Sequence, residues 1–356
     1  MRLVVLPLLL ALALLAACSR GGSGSSAPAV NIEATAAATA TATVPAGPVV
    51  IDAMWAGQLR KVAEFKVETP QRLVWAEGGT LRVLTLDAVY AYDPATRALT
   101  AAYTAPSPQR VLAVSPGGIV AVAGSGYVTA VRLVDLASGD IVRTIGPGGI
   151  TTSATFFDGG KRLLLTSGDR IGASMWDVAT GARLRDLTGF QTAAPVFNVT
   201  IAEGGTHAAW VARATFQFQD TTTGTFGMRA QFEDFIGSSA FSPRGDVFAT
   251  ARAGRGANGL EGIVQVWDPA TGAERLRITQ EALPAVVAFA PSTPLIAVGD
   301  AGFSLWDIED AAKPRQLAGF GVDAAGLVRL IAFSPDGVTV ATGDNEGNIR
   351  LWRAVP

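Results

Sequence analysis

Cys18 is the one cysteine and His207 the one histidine in a chain of 356 residues. A thiolate is the usual nucleophile or zinc ligand, and a histidine is the base that a serine triad needs. With one of each, a Cys/His zinc site and a CxxC redox pair are excluded by count. His207 lies in "EGGTHAAWV" (203–211), where a strand pattern gives it a structural place. "GDNEGN" (343–348) carries oxygen ligands and glycines, as calcium loops do, but it is too short for an EF-hand and departs from its spacing. "GRGANG" (254–259) matches G-x-G-x-x-G to the letter. A dinucleotide fold would need a helix next, yet the strand-like "IVQVW" follows within a few residues. Two carboxylates facing each other could hydrolyse a glycoside, but spacing alone places no such pair. No catalytic residue, cofactor or metal ligand is assigned, and the chain is expected not to be an enzyme.

Balanced charge narrows the partners. There are 28 basic and 30 acidic residues, a formal net charge of −2. This lacks the basic field of a nucleic-acid binder. A hydrophobic fraction of 49% allows a large core, and 40 glycines with 19 prolines imply many turns between short elements.

The elements around Cys18 assign it a role. Arg2 is followed by uncharged residues from Leu3 to Ala17, broken only by Pro7. That is a signal-peptide pattern, too short to span a bilayer. Leu15-Ala16-Ala17-Cys18 resembles the lipobox of bacterial lipoproteins. The resemblance implies that residues 1–17 are removed and that Cys18 carries the lipid, with multiple acyl chains giving stable anchoring. Ser19 occupies the family's sorting position and is not the inner-membrane aspartate. The expected location is therefore extracytoplasmic, on an outer membrane or the cell surface of a bacterial envelope. After Cys18, 24 of the 30 residues from 19 to 48 are Gly, Ala, Ser, Thr or Pro, so 18–48 is read as a disordered tether.

The remainder, 49–356, repeats. "AFSPRGDVFATA" (240–251), "AFAPSTPLIAVG" (288–299) and "AFSPDGVTVATG" (332–343) share one phrase. "VQVWDPATG" (264–272), "FSLWDIEDA" (303–311) and "IRLWRAV" (349–355) share the next. Four weaker copies precede them in phase. The marker positions Asp93, Asp135, Asp177, Asp220, Asp268, Asp307 and Arg353 are 42, 42, 43, 48, 39 and 46 residues apart, a mean period of about 43. Ser-Pro-Asp-Gly (334–337) and Asp-x-Ala-Thr-Gly read as turns between strands.

This period, with Trp-Asp at 176–177, 267–268 and 306–307, resembles the WD40 propeller family over residues 49–356. It implies an all-β, seven-bladed propeller with four strands, a to d, per blade. Trp176, Trp267, Trp306 and Trp352 would pack between blades, beside the markers Asp177, Asp268 and Asp307. The family's Gly-His dipeptide is missing, so its His–Ser/Thr–Trp–Asp network is not expected. Asp87, Asp169, Asp300 and Asp344 would hold the b–c turns. The seventh copy lacks a strand-d phrase, but "GQLRKVAEFK" (57–66) resembles "GARLRDLTGF" (181–190). Gln58 to Phe65 is therefore expected to close the ring.

The long spacing in blade five comes from "ARAGRGANGLEG" (251–262), between strands b and c. The b–c and d–a loops share one face, where partners of the family commonly bind. Arg252, Arg255 and Asn258 are expected to project there as an interaction loop. The resulting expectation is a monomeric, lipid-anchored scaffold that binds a protein partner. The alternative is an enzyme or a sensor of small ligands or polymers that uses the central channel.

Overall fold

The computed structural model describes residues 47–124, 130–146, 148–167, 172–190, 198–256, 259–321 and 326–355. Cys18, Asp169 and Asn258 lie outside them.

Seven four-stranded antiparallel sheets follow one another along the chain. Blade one is Arg72–Trp75, Leu81–Leu84, Ala88–Asp93 and Ala98–Thr104. Blade two is Gln109–Val114, Ile119–Gly124, Val131–Asp135 and Ile141–Ile145. Blade three is Thr151–Phe157, Arg162–Ser167, Gly172–Asp177 and Arg183–Thr188. Blade four is Asn198–Ile201, His207–Ala212, Thr215–Asp220 and Phe226–Gln231. Blade five is Ile236–Phe241, Phe248–Gly256, Gly259–Trp267 and Glu274–Gln280. Blade six is Val286–Phe289, Leu295–Gly299, Gly302–Asp307 and Arg315–Gly321. Blade seven takes Val328–Phe333, Thr339–Asp344 and Asn348–Ala354 from the end of the chain, and Leu59–Lys66 as its fourth strand.

The closing strand pairs as the repeat implied, with Leu59 opposite Ala354 and Lys66 opposite Asn348. Residues ahead of it add a second hold. Ile51 is buried between blades six and seven, its N–H donates to Gly337 O (2.9 Å), and its carbonyl accepts from Thr293 Oγ1 (3.0 Å). Those partners are a–b turn residues, so the chain enters the propeller on the a–b face.

Burial follows the strand sequences. Strands b and c are near-continuous apolar runs, such as Val120–Ala123 and Leu163–Leu165, and are buried. Strand d lies at the rim and mixes charge with apolar residues, as in Arg183–Thr188. The core divides into seven clusters, one at each contact between neighbouring blades. One example joins Ala113 and Leu133 of blade two to Leu163 and Trp176 of blade three. Another joins Leu351 of blade seven to Leu81 of blade one. A single blade therefore cannot bury its own apolar faces, and the closed ring is the stable unit.

Trp267 and Trp352 are buried at such contacts and donate from Nε1 to Thr250 Oγ1 (3.1 Å) and Thr342 Oγ1 (2.9 Å) of strand b. Trp176 and Trp306 donate instead to Ser174 Oγ (2.8 Å) and Ser304 Oγ (2.9 Å) on their own strands. All four tryptophans therefore keep a hydroxyl partner, on strand b at two positions and on strand c at the other two.

Candidate functional site

The marker aspartates are turn locks. Asp268 Oδ1 accepts from Ala270 N (2.9 Å) and Thr271 N (3.0 Å), which lets Gly272 adopt φ +75. A hydrogen bond from Arg275, with those amides, holds its pKa at about 2. Asp220 is also held at about 2, by the Thr222 hydroxyl and the amides of Thr223 and Thr222. The backbone amides of Thr180 and Ser138 likewise pull Asp177 and Asp135 down. Carboxylates committed in this way are poor general acids.

The b–c turn aspartates serve the same purpose. Asp87 Oδ1 accepts from Thr85 Oγ1 (2.8 Å) and Asp300 Oδ1 from Gly302 N (2.9 Å). In "GDNEGN", Asp344 accepts from Glu346 N, Asn348 N, Asn348 Nδ2 and Arg350 Nη1 at 2.7–3.2 Å. Its oxygens are spent within a tight turn, not turned outward around an ion. His207 sits opposite Asp220 across the sheet, with Nδ1 3.1 Å from Thr206 Oγ1. No serine nucleophile joins that pair among the described hydrogen bonds.

The blade-five insertion differs from the expected loop. Phe248–Gly256 and Gly259–Trp267 keep pairing to Arg255↔Leu260 and Gly256↔Gly259, so the described part of the insertion is an extended ladder. Pairing satisfies the backbone polar groups that a loop would leave open. Arg252 is tied down within it. Its Nε donates to Gln265 Oε1 (3.2 Å), its Nη1 donates to Ala253 O (3.2 Å), and its guanidinium lies 4.5 Å over the Phe232 ring. Desolvation lowers its pKa, against the nearby Asp234, Glu274 and Glu261 charges. Arg255 is exposed at the tip.

Around this hairpin lies a feature that the sequence reading missed. Phe235 is 57% exposed, Leu260 64% and Leu283 45%. Phe235 is in the d–a loop before blade five, Leu260 in its b–c hairpin, and Leu283 in the d–a loop after it. The three segments abut. A Cβ on Gly237 would lie 3.6 Å from Pro284 O, and one on Gly262 would run into the Ala282 carbonyl and the Pro284 ring. Arg213 lies 4.2 Å over the exposed Phe235 ring. Glu233, Asp234, Glu261 and Glu281 neighbour these residues along the chain. The result is an apolar crown with a charged border, which is the anatomy of a protein-binding surface.

Through the ring runs a channel cavity of about 560 Å³, lined by strand-a residues of all seven blades. Its lining carries Arg72 near the d–a end and Glu203 near the a–b end. Glu203 Oε1 accepts from Gly159 N at 2.6 Å. With one carboxylate among the described lining residues, the channel assembles no acid–base pair for glycoside chemistry. No group of three metal-ligating side chains occurs among the described residues.

Comparison with known proteins agrees with this architecture. Residues 322–353 match the family model WD domain, G-beta repeat. That stretch spans strands a to c of blade seven. A chain in the "Crystal Structure of Mitotic Checkpoint Complex" superposes with a TM-score of 0.67 at 16% sequence identity. The match covers 83% of this chain and 95% of that one. At that identity the likeness is one of fold.

Proposed function

We propose that the protein is a lipid-anchored scaffold of the cell envelope that recruits a protein partner through the crown of blade five. The observation that carries the reading is the crown itself. Phe235, Leu260 and Leu283 expose apolar surface on three abutting segments of one face, with Leu260 held in the paired ladder of the hairpin. Rigid presentation limits the ordering cost of binding. The WD-repeat match in blade seven and a structural neighbour from a multiprotein assembly support a scaffold role. The lipobox-like sequence at Cys18 supports the anchor.

Two experiments test it. A photo-crosslinker at Leu260 in the full chain, in its own cells, should capture one discrete partner, and Leu283→Asp should abolish the capture. No specific adduct, or capture indifferent to Leu283→Asp, refutes the crown. Arg252→Glu would also disturb packing on Phe232, so Arg255→Glu is the cleaner charge variant. Cys18→Ala should release the protein from membranes and end acyl labelling. Membrane retention of that variant refutes the anchor.

A further inference from the structure

We propose that the d–a mouth of the channel is an oxyanion site, built by Arg72 and Arg110, for a small organic carboxylate or phosphate. Arg72 is the first residue of strand a in blade one and lines the cavity, half-buried. Its Nη1 donates to Ala154 O (3.0 Å) in blade three, so the side chain passes across blade two. Arg110, in strand a of blade two, donates from Nη2 to Thr151 O (2.8 Å) on that same strand of blade three. The two carbonyls are three residues apart, which brings both guanidiniums within roughly 10 Å of each other.

Neither arginine has an ion pair among the described residues, whereas Arg275, Arg277, Arg315 and Arg350 all do. Burial alone lowers the Arg72 pKa, with no carboxylate opposing it. The Arg110 Nε is buried without a hydrogen-bond partner. A desolvated cation without a counter-charge is costly, and buried charges are normally paired. Each guanidinium spends one nitrogen on a carbonyl and keeps further donors in a fork that fits an oxyanion. Glu203 is not the missing partner, because it sits roughly 15 Å along the strand direction at the other mouth and is bound to Gly159 N. Beyond the first residues of strand a, Arg72 and Asn198, the lining is mixed and largely apolar, with Val74, Thr200, Ala288 and Phe333. The fitting ligand has an oxyanion head and a short apolar body.

The test uses the full chain in detergent, with hexanoate, inorganic phosphate and neutral hexanol as probes, by calorimetry and thermal shift. At least one anion should bind and raise the melting temperature, and hexanol should do neither. Arg72→Gln and Arg110→Gln should each weaken that binding by about tenfold or more. Both should leave the unliganded melting temperature level or higher, because an unpaired buried charge is gone. A response to hexanoate alone assigns a carboxylate with an apolar body, and a response to phosphate alone assigns a phosphate head. If Arg72→Gln does not fold, Arg110→Gln decides. Absence of anion binding to the folded wild type overturns the proposal. So does binding that survives the substitutions, or equal binding of hexanol. Crown variants should leave anion binding intact, which separates this site from the partner surface.

Discussion

Replacing Arg350 by methionine cuts an ionic clasp at the point where the ring closes. Arg350 lies in strand c of blade seven with its side chain 4% exposed. Its Nε is 2.8 Å from Glu64 on the closing strand, and its Nη1 is 2.7 Å from Asp344 in the b–c turn. The Glu64 arm is partly solvated and is worth about 0–1 kcal/mol. The Asp344 arm is buried at both ends, and losing one partner of such a pair costs about 3–5 kcal/mol. Asp344 keeps its bonds to Asn348 and two backbone amides, which puts the loss at the lower end. The expected total is about 3–4 kcal/mol, or roughly 5–10 °C in melting temperature for a domain of this size. Burial raises the Asp344 pKa, but hydrogen bonds from Asn348, Arg350 and the backbone outweigh it, and the net direction is down. A lowered folded pKa means this stability is present above the unfolded value near 3.8 and is lost as pH falls through the folded one. Thermal melts across pH 2–7 should show that acid loss in the wild type (roughly the carboxylate range). In Arg350→Met that acid loss should shrink, because Asp344 has lost the guanidinium bond that helps hold its folded pKa down. Adding Asp344→Asn to Arg350→Met should recover most of the stability at neutral pH, because the stranded charge is gone. A drop under about 1 kcal/mol, or a double variant no more stable than the single one, would refute the clasp.

Trp267→Ala should cost about 3–5 kcal/mol in urea unfolding, by emptying a cluster with Phe216 and Phe232 and leaving the Thr250 hydroxyl unpaired. Gly262→Ala should push apart the blade-five hairpin and the Ala282–Pro284 loop, and lower partner capture in the crosslinking assay more than it lowers the melting temperature. Deleting 49–67 should destabilise all blades cooperatively, with one melting transition at lower temperature, because Ile51 and Leu59 belong to the core between blades six and seven. Unchanged melting would dismiss the clamp.

What was legible in the sequence was whatever repeats. The marker aspartates, the interblade tryptophans and the "GQLRKVAEFK" phrase recur with a period of about 43 residues, because each blade solves the same turn and packing problem. The Glu64–Arg350–Asp344 clasp was hidden, since Glu64 and Arg350 meet only when the chain's two ends share a sheet. Arg72 and Arg110 carry no local signature either, and their closeness comes from both side chains reaching strand a of blade three. Arg252 misled for a local reason. Its glycine-rich surroundings read as a loop, whereas ladder pairing turned them into a hairpin and brought the guanidinium onto Phe232. The crown was unreadable because single exposed apolar residues are ordinary, and only the abutting loops make Phe235, Leu260 and Leu283 one surface.

The direction of the closing strand has a mechanical consequence. Leu59 lies toward the a–b face and Lys66 toward the opposite one, with seven paired positions between them and Asn348–Ala354. Tension applied between Ile51 on the a–b face and a loop on the opposite face would run along that strand's axis. The ladder would then be sheared, with its hydrogen bonds resisting together, and not peeled open one at a time. A ring that looks fastened by its weakest seam is oriented so that pulling on it meets the seam's strongest direction.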